Sequence, residues 1–286
     1  MAGPRGRVQF RTTPPGALGA TWQYVASGLP PSQGFGGLAG ALAEAVRPDD
    51  PWYGVAMDPL AGTPWSAPTT VDGFARGDPN PVLVEYATRT REGRPRARAL
   101  DIGCGAGRNA VPVARLGWTV LGTDLSQPML AAALTRARAE PEHLAFGVAM
   151  APMDRLPVAD RSVDLIIAHG IWNLARSGAE MRRAMREAAR VAGEGAALFV
   201  FTFSRHTLPA TADPVVGETF VFTQFSGQPQ CFLTGEQLVA ELSGAGFVFD
   251  SAVPLTEYNR PGPTTLPSAG GPVIYEAAFR YRGATA

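Results

Sequence analysis

Beyond residue 80 the chain alternates short apolar runs with longer stretches whose apolar residues recur every three or four positions. Residues 97–102, 119–122, 144–150, 163–168, 196–203, 247–253 and 273–281 have strand length and strand composition. Helical periodicity fills the intervals: from Asn80 to about Arg91, from a glycine-rich turn to about Leu116, from Ser126 to Glu140, over 178–191, and from Thr234 to Gly244. Three of these helices carry start signals. Asn80-Pro81 is an N-cap followed by a first-turn proline. Ser126 caps the next but one, and Thr234-x-x-Gln237 has the spacing of a capping box. Strands alternating with helices of this length predict an α/β fold built on a parallel, doubly wound sheet.

The first 75 residues follow no such period. They are rich in Gly and Pro, and only 38–46 (LAGALAEAV) has helical character. The scattered aromatics Trp22, Tyr24, Phe35, Trp52, Tyr53 and Trp65 are unlike a disordered tail. We therefore expect two parts: an irregular arm or lid over 1–75, packed on the body, and a ligand-binding domain over 76–286.

Composition narrows the chemistry. The chain has 286 residues, of which 45% are apolar and 17% charged, with 25 basic and 25 acidic side chains. Zero net charge argues against an electrostatic grip on nucleic acid. All the basic residues are arginine, which excludes a lysine Schiff base and a phosphate-loop lysine. Two cysteines, Cys104 and Cys231, make neither a disulfide framework nor a four-ligand zinc site. No run of ~20 apolar residues suggests a bilayer span, and the first residues lack a signal-peptide core. The expectation is a soluble, cytoplasmic protein that uses no membrane.

The sharpest chemical signal is ALDIGCGAGRNAVPVA, residues 99–114. A buried strand runs into Gly103, Cys104, Gly105, Ala106 and Gly107, and a helix follows at once. Glycines in a strand–turn–helix setting let backbone approach a ligand and aim free amides at it. A dinucleotide G-x-G-x-x-G would need glycine at 108, where Arg108 stands. Instead, glycines fall at 103, 105 and 107, preceded by Asp101. Seventeen residues past Gly107, Asp124 ends the next strand, where a carboxylate can accept from both ribose hydroxyls of an adenosine.

This D-x-G-x-G-x-G spacing, followed by Asp124 and LSQPML, resembles motifs I and II of class I S-adenosylmethionine (SAM)-dependent methyltransferases. The resemblance spans about residues 80–286 and is strongest to the small-molecule, bacterial group that includes tellurite-, thiopurine- and natural-product enzymes. It implies a Rossmann-like, mostly parallel seven-stranded sheet with helices on both faces. It also implies SAM as cofactor, held by Asp101, Gly103, Cys104, Gly105, Gly107, Asn109, Asp124 and Leu125. Met153 and Asp154, near the family's adenine-framing segment, would meet the adenine, although Pro152 stands where the family often has aspartate.

In an open α/β sheet ligands sit beyond the carboxyl ends of the strands. His169 and His206 fall at two such ends. Either could remove a proton from the acceptor, and His169 could instead wall the cofactor. Trp172 and Tyr258 are candidates to line an acceptor pocket. So are Phe220, Phe222 and Phe225, although the alternation ETFVFTQF is explained more simply by a half-buried hairpin. Cys231 fits a lone buried thiol better than a nucleophile. No N/D-P-P-Y or proline-cysteine pair follows residue 168, and no acidic cluster suggests a metal, so none is expected. The reading is methyl transfer to O, N or S of a small molecule by a monomer or homodimer. Two alternatives stand beside it: a non-catalytic SAM-binding subunit, and a nicotinamide-dependent oxidoreductase.

Overall fold

The computed structural model describes residues 58–94, 97–260 and 271–283, together with the backbone of Tyr24 and Val25. The helix expected over 38–46 and most of the arm lie outside the described residues. The chain forms two compact units: Met1–Pro152 with Pro157–Ala159, and Met153–Leu156 with Asp160–Ala286.

In the first unit a two-residue strand β1 (Tyr24–Val25) pairs antiparallel with β4 (Phe146–Met150). β4 lies parallel to β3 (Thr119–Asp124), and β3 lies parallel to β2 (Arg98–Ile102). The register pairs Asp101 with Gly122 and Asp124 with Met150, so the carboxyl ends of these strands come level. Among the described residues four α-helices accompany them: α1 (Pro68–Arg76), α2 (Pro81–Arg91), α3 (Ala110–Arg115) and α4 (Gln127–Arg138). Asn80 caps α2 by accepting from the Leu83 amide at 3.0 Å, and Ser126 caps α4 through the Met129 amide at 3.4 Å. Leu100, Ile102, Val111, Val120 and Phe146 fill the core beside Trp118, whose indole N–H donates to the Ala87 carbonyl at 3.1 Å. Burying each such large side chain is worth roughly 1.5–3 kcal/mol.

In the second unit β5 (Val163–His169) runs parallel to β6 (Ala192–Phe203), with α5 (Gly178–Val191) between them in sequence. A short hairpin, β7 (Val221–Phe222) and β8 (Gln230–Cys231), follows β6, and then α6 (Gly235–Gly244). The chain returns through β9 (Phe247–Asp250) and β10 (Thr256–Tyr258) to β11 (Ile274–Tyr281). β11 is antiparallel to β6, β9 and β10. Leu165, Ile166, Leu198, Phe199, Phe247 and Phe279 form the core. Thr234 and Gln237 make the full capping box. Among the described residues no helix is long and apolar enough to cross a membrane.

Candidate cofactor site and acceptor-side cluster

The strand-to-helix turn after β2 carries three glycines in left-handed backbone: Gly103 at φ 70°, Gly105 at 51° and Gly107 at 74°. Side chains rarely adopt that region, so glycine is required by conformation. Space adds a second reason at Gly107, where a Cβ would stand 3.1 Å from the Ala133 Cβ of α4. Gly107 thus lets α4 close on the turn. At Gly105 a Cβ would meet the Phe74 ring of α1 at 3.4 Å.

Two carboxylates flank the turn. Asp101 is 2% exposed, and burial, with a further push from Asp124, raises its pKa from 3.8 to about 8 against an opposing pull from Arg108. Asp124 is also pushed up by burial, while the Ser126, Gly105 and Leu125 amides act in the other direction. Its Oδ2 accepts from the Gly105 amide at 2.9 Å and its Oδ1 from the Ser126 amide at 2.9 Å. A buried acid, Asp101, and a partly buried one, Asp124, flank the left-handed glycine turn, and both are held above the usual carboxylate range, so that a cationic ligand would draw them into their ionised forms. Such a donor set fits a ligand that carries positive charge and hydroxyls, as S-adenosylmethionine does.

The segment before α2 packs on this cradle. Ser66 and Ser126 share a hydrogen bond at 2.8 Å, Asp58 accepts from the Gln127 amide at 3.3 Å, and Asp58 adds to the upward push on Asp124. The Arg136 guanidinium donates to the carbonyls of Ala75 and Gly77 at 3.0 and 3.2 Å. Trp65 and Phe74 meet edge to face, with centroids 6.3 Å apart. Asp58 had no signal in the sequence beyond its place in the expected arm.

Other expected cofactor residues are placed as follows. Cys104 is buried, its amide donating to the Thr123 carbonyl at 2.8 Å, and its sulfur fills the space that a Cβ on Gly122 would take. Asn109 is buried and accepts from the Asn80 amide at 2.9 Å, tying the turn to the start of α2. Met153 and Asp154 belong to the second unit. There the Asp154 carboxylate takes the Arg183 guanidinium at 3.2 Å.

The acceptor-side candidates all lie in the second unit. His169 ends β5 and stacks on Phe201 of β6, with centroids 4.0 Å apart and rings 9° from parallel. Trp172 is fully buried, and among the described residues its indole nitrogen has no hydrogen-bond partner. Phe220 and Phe222 are core residues of the hairpin, Phe222 packing on Phe232, while Phe225 is exposed against Phe203 and Phe232. The hairpin read from ETFVFTQF is therefore observed, but its half-buried character is not. Cys231 is buried, and burial raises its thiol to about 12. Tyr258 is half exposed and donates to Glu276 at 2.9 Å.

His206 sits in a denser group. Its Nδ1 lies 2.6 Å from Glu257 Oε1, and the buried Ser204 hydroxyl donates to that same oxygen at 2.5 Å. The Arg260 guanidinium reaches Glu257 Oε2 and His206 Nε2, each at 3.4 Å. Burial acts to raise the Glu257 pKa, but hydrogen bonds from Ser204, His206 and Tyr275 outweigh it and hold the carboxyl below the usual range. The sequence places Glu257 near a strand end but gives it no role. It lies on a three-residue strand, 53 and 51 positions from its partners, and no local pattern announces such a pairing.

Alternating strands and helices, a glycine turn closing the first strand and an acid closing the second define a Rossmann-like α/β protein with an adenosine-type cofactor cradle. A family model described as "Methyltransferase domain" matches residues 100–200. The chain is 30% identical to a demethylmenaquinone methyltransferase of Corynebacterium efficiens over 172 residues, covering 59% of this chain and 67% of that protein. It is 31% identical over 115 residues to a ubiquinone biosynthesis O-methyltransferase of Rhizobium etli, covering 40% of this chain and 44% of the other. The chain thus spans about two thirds of the first relative and less than half of the second. A SAM-dependent methyltransferase from Methanosarcina mazei superposes with a TM-score of 0.54 at 20% identity, over 72% of this chain and 99% of that one, and shares the fold. The chain belongs to the class I S-adenosylmethionine-dependent methyltransferases, and SAM is its cofactor.

Proposed function

We propose that this enzyme moves the methyl group of SAM to O, N or S of a small-molecule acceptor by in-line displacement. The observation that carries the reading is the left-handed glycine turn flanked by two carboxyl groups, Asp101 buried behind it and Asp124 held by the Gly105 and Ser126 amides. When bound, the cofactor supplies an already activated methyl carbon on a sulfonium. Asp101 faces the ligand's positive amine, and Asp124 accepts from its ribose hydroxyls while the Gly105 and Ser126 amides hold the carboxylate still. Leu125 adds a third amide to that hold. Residues 58–76 act as a cap, with the Phe74 ring over Gly105 excluding water from the turn. His169 and His206 are the candidate catalytic groups, Trp172 and Tyr258 the candidate acceptor contacts, and Met153 and Asp154 the candidate adenine contacts.

The acceptor is a small molecule rather than nucleic acid or a lipid surface. The relatives named for menaquinone and ubiquinone methylation support an aromatic, quinone-like class. A cytoplasmic, metal-independent monomer or homodimer completes the proposal. Calorimetric titration with SAM and, separately, with NADH tests it. SAM heat without NADH heat is expected, followed by release of S-adenosylhomocysteine when an acceptor is present. NADH heat alone would favour the oxidoreductase reading, and SAM binding without turnover on any acceptor would favour the non-catalytic subunit.

A further inference from the structure

The group around His206 is over-determined for a surface histidine. Two neighbours impose the same proton arrangement on the ring independently. Glu257, held in its ionised form by the hydrogen bonds it receives, can only accept, so Nδ1 at 2.6 Å must carry the hydrogen. The Arg260 guanidinium can only donate, so Nε2 at 3.4 Å must be the bare nitrogen. Ser204 secures the arrangement from below. Its hydroxyl accepts from the His206 amide at 3.1 Å and donates to Glu257 at 2.5 Å, which joins the turn after β6 to β10. A simple turn cap would need the serine alone; it would need neither the carboxylate nor the guanidinium.

We infer that Glu257 is a positioning residue that fixes His206 with its proton on Nδ1, so that Nε2 takes the proton of a hydroxyl acceptor while Arg260 receives the oxygen as its charge develops. This rests on the methyltransferase reading above and narrows its acceptor to a hydroxyl compound too weakly acidic to ionise unaided. The step is a proton transfer and balances as one: the hydroxyl proton passes to Nε2, the electron pair of the broken O–H bond stays on the oxygen beside Arg260, and the imidazolium so formed is paired with Glu257 until its proton passes to solvent.

The test needs no acceptor. With only three histidines in the chain, His143, His169 and His206, ¹⁵N-histidine labelling and His→Ala variants assign each ring by NMR. His206 should show its hydrogen on Nδ1; a hydrogen on Nε2 in the wild-type protein overturns the proposal. Carbethoxylation by diethyl pyrocarbonate, with His143 as internal reference, then reads the reactivity of Nε2. Glu257→Gln, which keeps the shape and loses the charge, should slow reaction at His206 severalfold, and Glu257→Asp should restore much of it. An unchanged rate in Glu257→Gln would make the carboxylate merely structural. A SAM titration on the wild-type protein is read separately: its failure would sink the methyltransferase reading and leave the tautomer result standing.

Discussion

The backbone amide of Gly105 donates to the Oδ2 of Asp124 at 2.9 Å, so the acid that ends the second strand is held from inside the glycine turn that ends the first. Each stabilises the other. The left-handed turn at Gly105 aims its amide outward, and the carboxylate gives that amide a charged partner.

Asp124→Ala should therefore weaken SAM binding by about 1–3 kcal/mol, the range for losing charge-assisted hydrogen bonds. It should also lower the melting temperature, because the Gly105 and Ser126 amides lose their acceptor. Asp124→Asn keeps one acceptor oxygen and should fall between. Calorimetry and thermal melts on both variants check this, and unchanged SAM affinity in the alanine variant would remove Asp124 from the site.

Asp101 sets a pH dependence with a definite sign. Its folded pKa of about 8 lies above the 3.8 of an exposed carboxyl, so its contribution to stability is fully present below about 3.8 and is lost as pH rises through 8. A cationic ligand favours the ionised form. SAM affinity should accordingly climb between pH 6 and 8, and binding should release a proton. Titrations in two buffers of different ionisation enthalpy measure that release. In Asp101→Asn this contribution to the proton release and to the pH slope should vanish, and the fall in stability towards pH 8 should flatten.

Gly107→Ala combines a positive φ with a methyl 3.1 Å from Ala133. Destabilisation of about 1–3 kcal/mol is expected from the backbone alone. Ala133→Gly alone, which costs about 1 kcal/mol as a glycine inside a helix, serves as the reference for the double variant, because the Ala133 Cα and the Val111 Cγ2 still stand 3.2 Å from the new methyl. Losses that simply add in the double variant would show that the Ala133 methyl does not press on the turn.

At the end of β5 the stack of His169 on Phe201 separates packing from chemistry. His169→Phe keeps a flat ring in place and should keep the unfolding free energy within about 1 kcal/mol of wild type. If the imidazole handles a proton, turnover should drop far more than SAM affinity does. Equal losses in both would make His169 a wall of the cofactor pocket.

Most of the element order was legible because its signals are local. Asn80, Ser126 and Thr234 begin helices where their side chains can reach amides two or three residues on, and the glycines at 103, 105 and 107 mark a turn that needs positive φ. What stayed hidden depends on distant partners. Asn109 follows the glycine turn like a ligand residue, yet its side-chain oxygen meets the Asn80 amide, 29 residues earlier. Glu257 acquires its role from Ser204 and His206, and Asp154 from Arg183, through pairings that only the folded second unit creates. The hairpin at Val221–Phe222 was legible from the alternation of Phe220 and Phe222, but its half-buried character was not, since Val221 between them is as buried as they are.

The two carbonyls that Arg136 gathers from Ala75 and Gly77 bear on how this enzyme can be shortened. A chain trimmed at the compositional boundary near residue 76 would sever the strap between its two anchor points. It would leave the Arg136 guanidinium with fewer acceptors and Ser126 without its hydroxyl partner, and would bare the glycine turn beneath Phe74. Any minimal enzyme made for crystallisation or acceptor screening should therefore start upstream of Asp58, so that the strap and the cradle it covers stay on one polypeptide.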